Sequence, residues 1–293
     1  MENDNNLDKE KVESSEIKYT ENPDVSKSLV NTVKEKKGLW GILAVIGAVL
    51  AKFKFAIFFI FAKLKFILIA LKFGKFASTL ISMLFMIVIY AQMYGWAYGL
   101  GFVLLLFAHE MGHYIMAKKV NINVSGPVFV PFVGAFISMK DEPENAAKEA
   151  AMAAGGPILG SLAALGSVLI YMATGNNLFL ALAYTGFMIN LFNLIPVHPL
   201  DGGRIVTAIS PKIWLIGIPI LLFISIKFFN PIIILFLIMG CVQAFKQWKN
   251  PDTNYYNTSI YVKIIFSLIF FGLMALLGIG IFYIHDLHVI YMR

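Results

Sequence analysis

The feature that most restricts this chain is a series of apolar runs, each about twenty residues long, between residues 76 and 284. A helix needs about 20 mainly apolar residues, at about 1.5 Å each, to cross the hydrocarbon core of a bilayer. Runs of that kind predict spans near 76–98, 99–117, 151–174, 178–196, 212–228, 230–247 and 260–284. The fifth and sixth are short, and the break between them rests on Asn230 and Pro231, because proline cannot continue a helix and restrains the residue before it; one bent element is the alternative there. The expected fold is an all-α polytopic membrane protein of about seven transmembrane helices. Composition agrees: 59% of residues are hydrophobic, 14% charged, and the mean hydropathy is +0.76. A soluble domain carries roughly 45–50% apolar and about 25% charged residues. These values also exclude disorder, and the single cysteine cannot close an internal disulfide.

Charge divides the chain further. Residues 1–37 hold nine acids and seven lysines and lack the pattern of a signal peptide, so a flexible hydrophilic tail is expected there. Residues 38–75 are apolar but interrupted by Lys52, Lys54, Lys63, Lys65, Lys72 and Lys75. A helix lying in the membrane interface with snorkelling lysines suits that pattern better than a transmembrane hairpin. Residues 76–250 then form the core, and 251–293 a last transmembrane helix with a short end. From Gly38 onward the cations outnumber the acids seventeen to eight, but they stand singly or in pairs beside apolar runs, as in cytoplasmic loops, which argues against nucleic acid. Alternating the spans places eleven of these lysines and arginines on the cytoplasmic side and only Lys227 and Arg293 opposite. The tail and the long loop 118–150 are then cytoplasmic. Within that loop GPVFVPFVGAFISM (126–139) reads as a short β-hairpin or re-entrant loop.

The chemistry is carried by few residues. After the tail there are eight acids, and six of them (Asp141, Glu142, Glu144, Glu149, Asp252, Asp286) are expected in loops or at the chain end. Glu110 and Asp201 instead lie within or against apolar segments, where an ionisable group is costly and marks function. Glu110 belongs to His-Glu-Met-Gly-His at 109–113. On a helix His109 and His113 share a face and can reach one ion, with Glu110 beside it as a general base. Two neutral imidazoles and a carboxylate suit zinc, one ion per chain, with a fourth position left open to water. No glutamate follows Glu149, and Lys119 occupies the place where an extended motif would put a third histidine. Asp201 in NLIPVHPLDGGR (193–204) is the remaining strong candidate, with Gly202 and Gly203 expected to form a tight turn that aims it inward.

The pairing of HEMGH (109–113) with NLIPVHPLDGG (193–203), and AAGGP (153–157) between them, resembles the site-2 protease family of intramembrane zinc metalloproteases. The resemblance covers residues 76–250 approximately. It implies that His109, His113 and Asp201 bind zinc, that Glu110 activates water, and that Asn193 holds the substrate or its oxyanion. It also implies cleavage of peptide bonds within transmembrane segments of other membrane proteins, from the cytoplasmic side of a cell membrane. The chain departs from many members by lacking a PDZ-like insertion or CBS pair, a compact form that leans bacterial. Gly160 stands where many members have asparagine, which puts a polar role there in doubt.

The remaining conspicuous residues have plainer readings. His198 is expected as a solvated loop histidine and Cys241 as a buried inert thiol. His285 and His288 belong to an exposed end, and GGPILGS (155–161) to close helix packing. Two other classes compete with the protease: a catalytically idle membrane chaperone or regulator of the same fold, against which the intact Glu110 argues, and a metal transporter, which would need more polar groups along its path.

Overall fold

The computed structural model describes residues 75–250 and 254–291. The expectations for the tail and for the lysine-rich segment up to residue 74 fall outside them. The described residues form helices α1 (Lys75–Tyr94), α2 (Trp96–Lys119), α3 (Ala146–Thr174), α4 (Asn177–Asn193), α5 (Asp201–Thr207), α6 (Trp214–Lys227), α7 (Pro231–Lys249) and α8 (Ile260–Tyr291). A two-stranded antiparallel sheet, β1 (Val128–Val130) and β2 (Gly134–Phe136), lies between α2 and α3.

Helices thus occupy all seven expected spans, but not all are long enough to cross. Five are, by length and apolarity: Ala77–Tyr94, Trp96–Lys119, Ala146–Thr174, Pro231–Lys249 and Ile260–Asp286. The protein is a multi-pass membrane protein. At 1.5 Å per residue, α4 with 17 residues and α6 with 14 reach only about 25 and 21 Å.

Local chemistry sets the boundaries. The first two helices break at Gly95 rather than near residue 98, because Gly95 takes φ +89°, a conformation open to glycine. Helix α3 starts five residues earlier than expected, where the Asn145 side chain accepts a hydrogen bond from the Lys148 N–H. It ends at Gly175, left-handed at φ +66°. Asn230 caps α7 by accepting from the Ile232 N–H, with Pro231 in the first turn, so α6 and α7 are separate helices and not one bent element.

Small residues bring α2 and α3 together. A Cβ on Gly112 would overlap the Gly155 carbonyl, so residues 155–161 do serve close helix packing. Against this pair stand α4, packed on α3, and α5, whose Ile205 and Val206 join Ala153, Ala154 and Leu194 in the main core. The expected hairpin is present, with Phe129 opposite Ala135. It runs along α1: Thr79 Oγ1 donates to Pro127 O (2.7 Å), the Phe129 N–H donates to Ser82 Oγ (3.2 Å), and the Phe132 ring at its tip lies 6.0 Å from that of Tyr90. Hydroxyls of α1 thus pair with backbone groups at and beside the outer edge of β1.

Candidate metal centre

Helix α2 presents His109, Glu110 and His113 on its buried face. The chain that leaves α4 at Asn193 passes Pro196 and Pro199 and begins α5 with Asp201. The loop's return brings Asp201 Oδ2 to 3.1 Å from His109 Nε2 and 3.3 Å from His113 Nε2, and the two Nε2 atoms are 3.1 Å apart. These three residues are the one such group among the described residues.

The outer ring nitrogens decide what that triangle is. His113 Nδ1 lies 3.0 Å from Met152 O, and a carbonyl only accepts, so Nδ1 carries the proton. When His113 is neutral, as a metal ligand must be, it turns an unprotonated Nε2 inward. The corresponding partner of His109 Nδ1 is Asn190 Oδ1, at 2.8 Å. With both imidazoles neutral, three lone-pair atoms converge, an arrangement that suits a cation. Their separations fit zinc: ligands at about 2.0–2.1 Å in a tetrahedron stand about 3.3 Å apart. Burial alone would raise the pKa of Asp201, but a charged His113 and hydrogen bonding from the imidazoles hold its carboxyl well below the usual carboxylate range, so the same oxygen stays anionic for either a proton or a metal ion between these groups.

Glycine clears the space. A Cβ on Gly156 would overlap the His113 ring and lie 2.8 Å from His109 Nε2. Gly202 and Gly203 differ from expectation: they lie in the first turn of helix α5, not in a free turn. A Cβ on either would overlap the backbone of Leu194 or Val197, so they let α5 pack flat on the loop that delivers Asp201. Trp214 Nε1 donates to Gly203 O (2.8 Å), tying α5 to α6.

A cavity of ≈ 240 Å³ opens onto the group. Glu110 and Asn193 line it, with Arg204 and with Ala135, Phe136 and Ile137 at and beyond β2. The structure thus brings together all five residues singled out in the sequence. Asn190 was missed. An amide deep in an apolar helix needs a partner, and that was the available signal. It also accounts for Gly160, because a Cβ there would lie 2.8 Å from Asn190 Nδ2 and overlap Oδ1. The amide at that place comes from α4 instead of α3.

Three expectations are corrected. Glu149 is not a loop acid: the early start of α3 buries it, and Tyr255 Oη donates to it at 2.7 Å. Burial and that carboxylate push the Tyr255 phenol up. His198 is neither freely solvated nor at the metal group; its Nε2 is 3.8 Å from Glu149 Oε1 and its ring packs edge-on to Trp214. Cys241 is exposed on α7, not buried.

Fold and site together define a multi-pass membrane protein in which two histidines and an aspartate converge closely enough to hold a cation, with a carboxylate on the same cavity. Residues 97–176 and 172–217 match the profile of peptidase family M50. Over residues 97–217 the chain is thus similar to that family. A zinc metalloprotease of Methanocaldococcus jannaschii is 32% identical over 111 residues, which is 36% of this chain and 31% of that protein. A relative from Synechocystis sp. is 32% identical over 123 residues, 39% of this chain and 32% of its own. The matched stretch spans about a third of each of these relatives. The solved site-2 protease of M. jannaschii shares 25% identity, covering 56% of this chain and 86% of that one, with a TM-score of 0.38.

Proposed function

We propose that this chain is a zinc-dependent intramembrane endopeptidase that hydrolyses peptide bonds within transmembrane segments of other membrane proteins, in contact with lipid. The observation that carries this is the convergence of His109, His113 and Asp201 on one point with Glu110 on the same cavity. Zinc, when bound, polarises a carbonyl and lowers the pKa of water toward neutrality. Glu110 takes the proton from the attacking water on its carboxylate and delivers it to the leaving amine. Asn193, on the cavity wall, steadies the bound strand or the developing oxyanion. Strand β2 borders the cavity, and an unwound substrate segment adds to it by backbone pairing. Residues 76–250 form the catalytic core in this reading and 251–293 a supporting helix, and the cavity mouth faces the cytoplasm of a bacterial cell.

The test is zinc content per chain and cleavage of single-span substrates reconstituted in vesicles. We expect near-stoichiometric zinc in the wild type, a sharp fall in Asp201→Asn, and full zinc with a 10²–10⁴-fold slower cleavage in Glu110→Gln, the range for a lost general base. A wild type that carries no zinc and takes none up overturns the reading.

A further inference from the structure

We propose that Asn190 is a positioning residue for the metal centre: its amide sets the tautomer and orientation of His109, and Gly160 makes the room for it. The inference rests on the zinc reading above and adds a residue to it. Asn190 is buried, 3% exposed, one turn before the end of α4. An amide can present either face to an imidazole, so a contact alone would not fix the proton. Here Asn190 Nδ2 donates to Gly186 O at 2.7 Å, and because a carbonyl only accepts, the amide cannot be turned round. Its Oδ1 must therefore face His109 Nδ1 at 2.8 Å as acceptor. The proton is drawn to Nδ1, and Nε2 is left bare toward Asp201 and His113.

The two imidazoles are thus held by different means. His113 is held by a backbone carbonyl, Met152 O, that no side-chain substitution at residue 152 removes. His109 depends on one side chain from another helix. That side chain in turn depends on Gly160, since a Cβ on α3 would overlap Asn190 Oδ1. Outer partners of metal-bound histidines typically contribute 10–100-fold in metal affinity.

The experiment measures zinc affinity by chelator competition on the purified full chain in detergent, together with imidazole ¹⁵N NMR of the zinc-free protein. Asn190→Leu, which keeps size but not the acceptor, is expected to weaken zinc about 10–100-fold. It should also convert the His109 signal from a single Nδ1–H form to a mixture. Asn190→Asp, which keeps an acceptor, should hold zinc within about threefold of wild type by the same measure. Gly160→Ala should weaken binding in the manner of Asn190→Leu, and Thr185→Val, on the same helix, should leave it unchanged. If Asn190→Leu does not fold, Asn190→Ala carries the same expectation. Wild-type affinity together with an unchanged His109 signal in a folded Asn190→Leu or Asn190→Ala overturns the proposal. A wild type that binds no zinc overturns the protease reading instead, and the ¹⁵N signals of the zinc-free protein still decide whether Asn190 sets the tautomer.

Discussion

Helices α3 and α7 are both apolar enough to cross a bilayer, yet 56% of the most apolar stretch of α3 is buried inside the protein against 6% of that of α7. Hydropathy alone does not separate them. Residue size does: α3 is rich in alanine and glycine, which let α2 and α4 approach its backbone, whereas α7 carries isoleucine, leucine and phenylalanine outward and buries only Gly240. Between α6, α7 and the segment around Tyr256 lies a mostly apolar space of ≈ 1090 Å³, bordered by Trp214, Leu215, Phe245 and Trp248, which contains none of the metal-binding candidates. Without a hydrophobic drive between helices in lipid, close packing must come from small residues, and chemistry that needs sub-ångström placement sits where packing is closest.

The contrast can be broken from the α3 side. Gly156→Val puts a branched side chain where the two imidazoles stand, and we expect loss of stoichiometric zinc with retained helicity, read by metal analysis and circular dichroism. Zinc retained in that variant would mean the imidazoles do not lie over α3. A smaller effect is expected from Gly112→Ala, whose methyl meets the Gly155 carbonyl: a destabilisation of about 1–3 kcal/mol in detergent unfolding, the usual cost of overpacking. On the α7 side, Ile238→Ala alters a residue 55% exposed and should change stability by no more than about 0.5 kcal/mol. A large loss there would place α7 in the packed core and erase the comparison.

The sequence carried the contrast unevenly. His109, Glu110, His113 and Asp201 were legible because ionisable groups in apolar runs have few purposes, and the hairpin because its alternation and glycine are local signals. Asn190 was not, since an uncharged amide in an apolar helix raises no alarm until its neighbours are known. Glu149 was misplaced because its burial depends on where α3 begins, and that was set by the cap at Asn145 and by Tyr255, more than a hundred residues away in the chain. Gly202 and Gly203 suggested a turn, as glycine pairs do, but the reason for them is contact with Leu194 and Val197, which is tertiary. Local chemistry was readable, and long-range fit was not.

The brevity of α4 and α6 has a consequence for supply. Hydrolysis consumes water, and the hydrocarbon layer, about 30 Å thick, holds none. The two helices that flank the Asp201 loop are about 25 and 21 Å long, so neither carries its end through that layer. What joins them, residues 194–213, includes irregular polar backbone that only protein or water can satisfy. Pro199, Leu200 and Asp201 of that stretch also line the cavity with Glu110, so water that satisfies its backbone would stand where the proposed hydrolysis consumes it.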